Sequence, residues 1–217
     1  MQKINTKLFS LRTQFSMDEI DEKKFSKNPI IQFNRWMANA IESTIEDPNA
    51  MTLSTAGKNY KVDSRIVLLR DANSTGFSFF TNYNSAKGKE MKENKNVCLN
   101  FFWPQLQRQI RIKGSVIKLS EKKSDAYFNS RPRESQISAW ASHQSELLVN
   151  RTDLEKRYEA LQKKYEGKKV PRPKHWGGYL VKPTEVEFWQ GRENRLHDRL
   201  VYLKKRNGNW TLSRLNP

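Results

Sequence analysis

The spacing of apolar residues changes character several times along this 217-residue chain. Residues 1–27 are polar and weakly patterned and read as an N-terminal arm that needs a surface to lie on. "NPIIQFNRWMANAIEST" then sets Ile31, Arg35/Trp36, Ala38, Ile41 and Ile45 at near-helical spacing, with Asn28 as cap and Pro29 in the first turn, which predicts a helix. From residue 50 the period shortens towards two. "AMTLST", "YKVDSRIVLLRDA" and "FSFFTN", parted by the turn signals "AGKN" and "NSTG", predict an antiparallel meander. The short polar "SAKGKEMKEN" predicts a helix, and "NVCLNFFWP" and "RQIRIKGSVIKLS" two further strands.

The second half repeats this mixture. "EKKSDAYFNS" and "RESQISAWAS" predict two helices parted by Pro132, a residue that begins a helix but does not sit inside one. "DLEKRYEALQKKYEG" reads as a charged surface helix. "GGYLVKPTEVEFWQ" and "RLHDRLVYLKK" return to strands, and "RNGNW" carries the Asn-Gly signal of a two-residue hairpin turn. No internal repeat or low-complexity segment is present.

Antiparallel strands with helices inserted between them argue against a doubly wound nucleotide fold, and no Gly-rich phosphate loop supports one. The expected class is mainly β with peripheral helices (α+β), a β-barrel with helices around it. The length fits one domain, residues 28–217, behind the arm of residues 1–27. Any phosphate site must then be built from side chains.

Charge makes such a site worth seeking. Lys and Arg number 40 against 23 Asp and Glu, a net +17, which points to a polyanionic or phosphorylated partner. The single cysteine, Cys98, lies in an apolar run and reads as a buried thiol in a reducing compartment, hence the cytoplasm. His143, His175 and His197 are far apart in sequence, so no metal site is expected. The N-terminus lacks a signal-length apolar core and no run of eighteen apolar residues occurs, so a soluble protein with no membrane partner is expected.

Four clusters are candidates for anion chemistry. In "WQGRENRLHDR", an extended chain would point Arg195, His197 and Arg199 to one side, with like charge disfavouring the His197 imidazolium; a plain basic solvated strand is the other reading. In "YFNSRPRESQ", Tyr127, Arg131 and Ser135 are four apart and on continuous helix would share one face, three donors suited to phosphate; equally, they could cap two helices and pair with Glu134. In "SRIVLLR", Arg65 and Arg70 bracket an apolar run and point to opposite faces of a regular strand, so only one would meet a given ligand unless a bulge intervenes. Gln109 in "LQRQIRIKG" suits a heterocycle with C=O and N–H groups, or is a surface glutamine.

Taken together and in order, "SRIVLLR", "FFTNYNSAKG", "LQRQIRIKG", "YFNSRPRESQISAWAS", "HQSE", "HWGGYLV" and "EFWQGRENRLHDR", with the ending "LSRLNP", closely resemble the pyridoxamine 5′-phosphate oxidase family from about residue 8 to the C-terminus. The resemblance implies an FMN-binding split β-barrel of antiparallel Greek-key type, a homodimer with FMN between the subunits. It places FMN contacts on Arg65, Ile66, Val67, Leu68, Leu69, Arg70, Phe80, Thr81, Lys87, Gln109, Gln144, Ser145, Trp189 and Arg199. It places substrate contacts on Arg12, Arg70, Tyr127, Arg131, Ser135, Arg195 and His197, with Arg12 in a lid and Arg195 and His197 nearest the chemistry. The implied reaction oxidises pyridoxamine or pyridoxine 5′-phosphate to pyridoxal 5′-phosphate while O2 becomes H2O2.

Three positions depart from the family pattern: Arg70 where Lys is common, Ala86 where an Arg helps hold the FMN phosphate, and Phe15 where a lid Tyr is common. Arg70 keeps the charge and changes its geometry. Two rivals stand beside this reading. One is a related split-barrel flavin oxidase with another substrate, as in phenazine synthesis; the other is a nucleic-acid-binding barrel, for which the charge is the only support.

Overall fold

The computed structural model describes all residues except Met1, Gln2, Lys3, Asn5, Thr6, Lys7, Phe9, Arg12, Thr13 and Asp18, so the lid position expected at Arg12 lies outside the described residues. Among the described residues nine strands form one hydrogen-bonded sheet, β1 (Ala50–Ala56), β2 (Val62–Leu68), β3 (Asp71–Asn73), β4 (Gly76–Asn82), β5 (Asn96–Trp103), β6 (Arg108–Lys118), β7 (Trp176–Gln190), β8 (Asp198–Lys204) and β9 (Trp210–Leu215). The order is β2-β1-β5-β6-β7-β4-β3, with β8 pairing β7 and β9. Beyond the N-terminal arm, the described residues form the helices α1 (Pro29–Glu42), α2 (Ala86–Glu93), α3 (Glu121–Ser130), α4 (Arg133–Ala141) and α5 (Arg151–Lys164). The expected class, antiparallel β with helices around it, is the one observed. No helix among the described residues is long and apolar enough to cross a membrane.

The chain forms two compact units. The first comprises Met1–Pro48, Phe102–Arg111 and Val186–Pro217; the second, Asn49–Phe101 and Ile112–Glu185. In the first, α1 starts where Asn28 Oδ1 accepts from Ile30 N at 2.8 Å and Pro29 occupies the first turn. Its buried face is Ile30, Phe33, Trp36, Met37 and Ala40; of the expected row only Trp36 belongs to it, since Ile31 is 50% and Ile41 64% exposed. Phe33 and Met37 complete a wider i, i+3, i+4, i+7 stripe than the isoleucines offer, and the larger apolar area wins. Trp36, Phe25 and Tyr202 meet Phe188 edge to face, and Tyr202 Oη donates to Ser26 O at 2.6 Å, fixing the chain just before α1.

In the second unit, "YKVDSRIVLLRDA" does not form the single strand expected. Asn49 O receives Leu69 N at 2.9 Å and Ser78 O receives Arg70 N at 2.8 Å, so the chain leaves β1 and joins β4 within two residues. This hand-over ends β2 and begins β3. Two other expectations are corrected. Cys98 is only partly buried on β5, because successive strand residues face opposite ways and its apolar neighbours Val97 and Leu99 take the core side. The β8–β9 hairpin in the first unit is not a two-residue turn: Lys205 O receives Gly208 N at 2.9 Å, Lys205 N donates to Asn209 O at 2.7 Å, and Gly208 has φ +86°. A three-residue loop with glycine in the left-handed position replaces it.

Candidate functional site

A cavity of about 420 Å³ opens in the second unit, lined by Arg65, Ile66, Val67, Leu68, Arg70, Phe80, Thr81, Asn82, Lys87, Tyr127, Arg131, Gln144 and Trp176. Arg65 and Arg70 both line it, contrary to the opposite-face expectation for a regular strand. The break at Leu69–Arg70 is the irregularity that brings them together. Leu69 itself turns inward and is 7% exposed.

Lys87 enters from the first turn of α2, whose cap Ser85 accepts from Gly88 N. The lysine is 6% exposed, and burial first, then the Arg65 charge, hold its ammonium below the usual lysine range. Ala86 precedes it and brings no charge.

The aromatic wall comes from three elements. Phe80 stacks on Tyr127 with centroids 3.9 Å apart, and Trp176 lies nearly parallel to both. This wall grows out of a buried cluster of Phe128, Ile137, Tyr165, Val170 and Trp176, so its geometry is set by core packing. The Arg131 guanidinium sits 4.6 Å from the Trp176 ring centroid and that of Arg70 5.7 Å from Tyr127.

Helix α3 stops at Ser130, and Arg131 is its C-cap with φ −74° and ψ 150°. The continuous helical face drawn through Tyr127, Arg131 and Ser135 therefore does not exist, because Pro132 forces the preceding residue out of helical conformation. Tyr127 and Arg131 still converge on the cavity, while Ser135 lies in the first turn of α4, outside its lining. Arg131 Nη1 is buried and has no hydrogen-bond partner. Burial, first, lowers its pKa. Gln144 reaches the lining from the loop after α4, and Ser145 follows it at φ 70°.

The first unit carries a second cluster. Trp189 on β7 lies 4.7 Å from His197, and Phe15 from the arm meets both rings edge-on. The strand expected through Arg195 begins only at Asp198; Glu193–Arg195 form a short 3-10 turn, with Asn194 at φ 53° and Arg195 at φ 62°. The alternating face of Arg195, His197 and Arg199 is thus not realised: Arg195 is exposed, His197 packs on Trp189, and Arg199 alone is in the strand. His197 Nδ1 accepts from Arg192 N at 3.0 Å, which leaves the neutral ring's proton on Nε2. Burial, then Arg195, keeps its pKa below the ordinary histidine value. Gln109 is half-buried on β6. Among the described residues no group of His, Cys, Asp or Glu could hold a metal ion.

Sequence reasoning assigned nothing to Trp176, Asn82, Asp63, Glu90 or Glu187. Trp176 stands in the quoted "HWGGYLV" and Asn82 in "FFTNYN", whereas the acids are visible only through the arginines they meet in space.

The family description "Pyridoxamine 5'-phosphate oxidase" matches residues 37–165, and "Pyridoxine 5'-phosphate oxidase C-terminal dimerisation region" matches residues 176–217. The chain belongs to the pyridoxamine 5′-phosphate oxidase family. Pyridoxine/pyridoxamine 5'-phosphate oxidase of Nostoc punctiforme is 48% identical over 207 residues, 95% of this chain and 97% of that one. The protein of the same name from Leptospira biflexa is 47% identical over 210 residues, 97% and 99% of the two chains. PhzG from Burkholderia lata 383, solved with tetrahydrophenazine-1-carboxylic acid, superposes with TM-score 0.87 at 31% identity over 93% of this chain and all of its own. A pyridoxamine 5'-phosphate oxidase-related, FMN binding protein of Nostoc punctiforme shares the fold, with TM-score 0.70 at 14% identity, over 89% of this chain and all of its own. The split β-barrel expected from the motifs is the fold of this family.

Proposed function

We propose that this chain is an FMN-dependent oxidase that converts pyridoxamine 5′-phosphate or pyridoxine 5′-phosphate to pyridoxal 5′-phosphate, reducing O2 to H2O2. The observation that carries the reading is Arg131: a half-buried guanidinium on an aromatic wall, its Nη1 buried and unpartnered, beside a second cation at Arg70. A buried donor without an acceptor is costly, and a phosphate monoester supplies the acceptor. Two cations suit a dianion, and the stacked rings of Phe80, Tyr127 and Trp176 border space for flat heterocycles.

The lining therefore fits the cofactor. FMN would be held by Arg65, Ile66, Val67, Leu68, Leu69, Arg70, Phe80, Thr81, Lys87, Gln109, Gln144, Ser145, Trp189 and Arg199, in a cleft shared by two copies of the chain. Substrate would meet Arg70, Tyr127, Arg131, Ser135, Arg195 and His197. FMN when bound supplies the hydride acceptor. The protein neutralises phosphate, orients the carbon that loses hydride and excludes water. His197, neutral with its proton on Nε2, donates a hydrogen bond, and Arg195 adds positive charge beside it; neither is assigned as a base. With the amine substrate the balance is pyridoxamine phosphate, O2 and water giving pyridoxal phosphate, ammonia and H2O2.

The likeness to PhzG favours one alternative, an oxidase of the same fold acting on another substrate. The test is absorbance of the purified protein, identification of the released chromophore, and pyridoxal phosphate formation from both substrates. A yellow protein releasing FMN and forming pyridoxal phosphate is expected. A protein that lacks flavin and fails to take up added FMN sinks the enzyme reading; a flavoprotein inert on both substrates leaves the alternative.

A further inference from the structure

The cations of the cavity fall into two electrostatic classes. Arg131 is influenced by Tyr127 and Arg70 and by no carboxylate. Arg65 is already engaged: its Nη2 lies 2.5 Å from Asp63 Oδ2 and 3.3 Å from Glu90 Oε2, and its Nη1 meets Thr55 Oγ1, which in turn bonds Glu90. Lys87 feels the same two carboxylates. At this end, two cations therefore face two acids, and the local charge is near zero before any ligand arrives.

The two acids differ in kind. Glu90 projects from α2, is about one-fifth exposed and is tied to Thr55 as well as Arg65. Asp63 stands on β2, an edge strand of the sheet, with its side chain 57% exposed and its remaining hydrogen bond made to the adjacent Ser64 N at 2.7 Å. An exposed ion pair of this sort adds little to stability. Its effect on an anion entering beside Arg65 is direct: like charge at short range, and a guanidinium N–H already taken.

We propose that Asp63 sets the anion affinity of this cavity, its carboxylate occupying the Arg65 Nη2 that a phosphate monoester would take, so that phosphate binds only by displacing an internal anion. This inference rests on the FMN reading above. It makes Asp63 an affinity-determining residue whose removal improves binding, an outcome that loss of a structural contact does not produce.

The experiment uses the full chain stripped of flavin, wild type and Asp63→Asn, titrated with FMN and with riboflavin, which lacks the phosphate. Asp63→Asn should tighten FMN roughly three- to tenfold at low ionic strength, the size of one nearby unit charge in a solvent-rich site. The gain should shrink towards nothing near 1 M salt, where the screening length falls to about 3 Å. Riboflavin affinity should not move, and Asp63→Ser should behave as Asp63→Asn does. FMN bound no more tightly by either variant, or riboflavin tightened equally, overturns the inference while leaving the FMN reading in place. A wild-type chain that takes up no FMN overturns both.

Discussion

Glu187 Oε1 accepts a 2.9 Å hydrogen bond from Arg199 Nε while its other oxygen accepts from Arg111 Nη2, so one carboxylate on β7 holds a guanidinium from β6 and another from β8. The carboxylate is 3% exposed. Burial pushes its pKa up, but the hydrogen bonds and charges of Arg199 and Arg111 outweigh burial and leave it below the usual carboxylate range. A depressed folded pKa gives stability that is present above the unfolded carboxylate pKa and lost as pH falls through the folded one. Glu187→Ala strands two cations and should cost roughly 1.5–3 kcal/mol at neutral pH by urea denaturation. The gap from wild type should narrow in acid; a constant gap down to pH 3 would show that the charge state of Glu187 is not what matters.

Arg131 and Arg199 separate the two ligands. Arg131→Ala removes a charge-assisted hydrogen bond to substrate phosphate, about 1.5–3 kcal/mol or ten- to a hundredfold in KM, and should leave FMN retention nearly unchanged. Arg199→Ala should weaken FMN first. FMN titration beside steady-state kinetics decides: loss of FMN from Arg131→Ala with normal FMN in Arg199→Ala reverses the assignment.

How far the sequence led is visible at these positions. The Asn28–Pro29 start of α1 and the helical breaks around Pro132 were legible because caps and prolines act locally. Apart from Asn82 and Trp176, the residues that line the cavity are ones the motifs had singled out. Their geometry was not legible, since it follows from contacts remote in sequence: Arg65 and Arg70 share a cavity because Leu69 and Arg70 bond to Asn49 and Ser78, and Arg199 is held by Glu187 twelve residues earlier. A period-two pattern in "RLHDR" likewise gave no warning of positive φ at Asn194 and Arg195.

His197 should titrate below the ordinary histidine value, because burial and then Arg195 disfavour the imidazolium. As pH falls, the unfolded chain binds this proton first, so the site lowers stability between the ordinary value and the folded one. Proton NMR of the ring should show the depressed pKa in wild type and a partial return in Arg195→Ala. An unchanged titration in that variant would exclude Arg195 as a contributor.

The C-terminal region matched as a dimerisation region, residues 176–217, contains Trp189, Arg195, His197 and Arg199. A site completed by a second copy couples flavin affinity to assembly. Sedimentation over a dilution series should show a dimer whose FMN is released as it dissociates. A monomer with tight, stoichiometric FMN would contradict the shared cleft.

Gly88 links backbone packing to the cavity. It is the third residue of α2, directly after Lys87, and its N–H donates to the capping Ser85 Oγ. A Cβ at this position would come within 2.6 Å of the Tyr83 carbonyl carbon and 2.9 Å of Asn82 O, backbone atoms that cannot swing aside. Alanine is a better helix former than glycine, and in an open helix the change would stabilise by up to about 1 kcal/mol. Here the clash forces the first turn of α2 away from the Asn82–Tyr83 turn, at a cost of about 1–3 kcal/mol. Because Asn82 and Lys87 both line the cavity, that movement reaches the anion site. Gly88→Ala should lower the thermal midpoint and weaken FMN together, whereas Gly167→Ala, where no atom lies within 4 Å and only the positive φ resists, should lower the midpoint and leave FMN affinity alone. Calorimetry and FMN titration on both variants test the link, and full FMN affinity in a destabilised Gly88→Ala protein would break it.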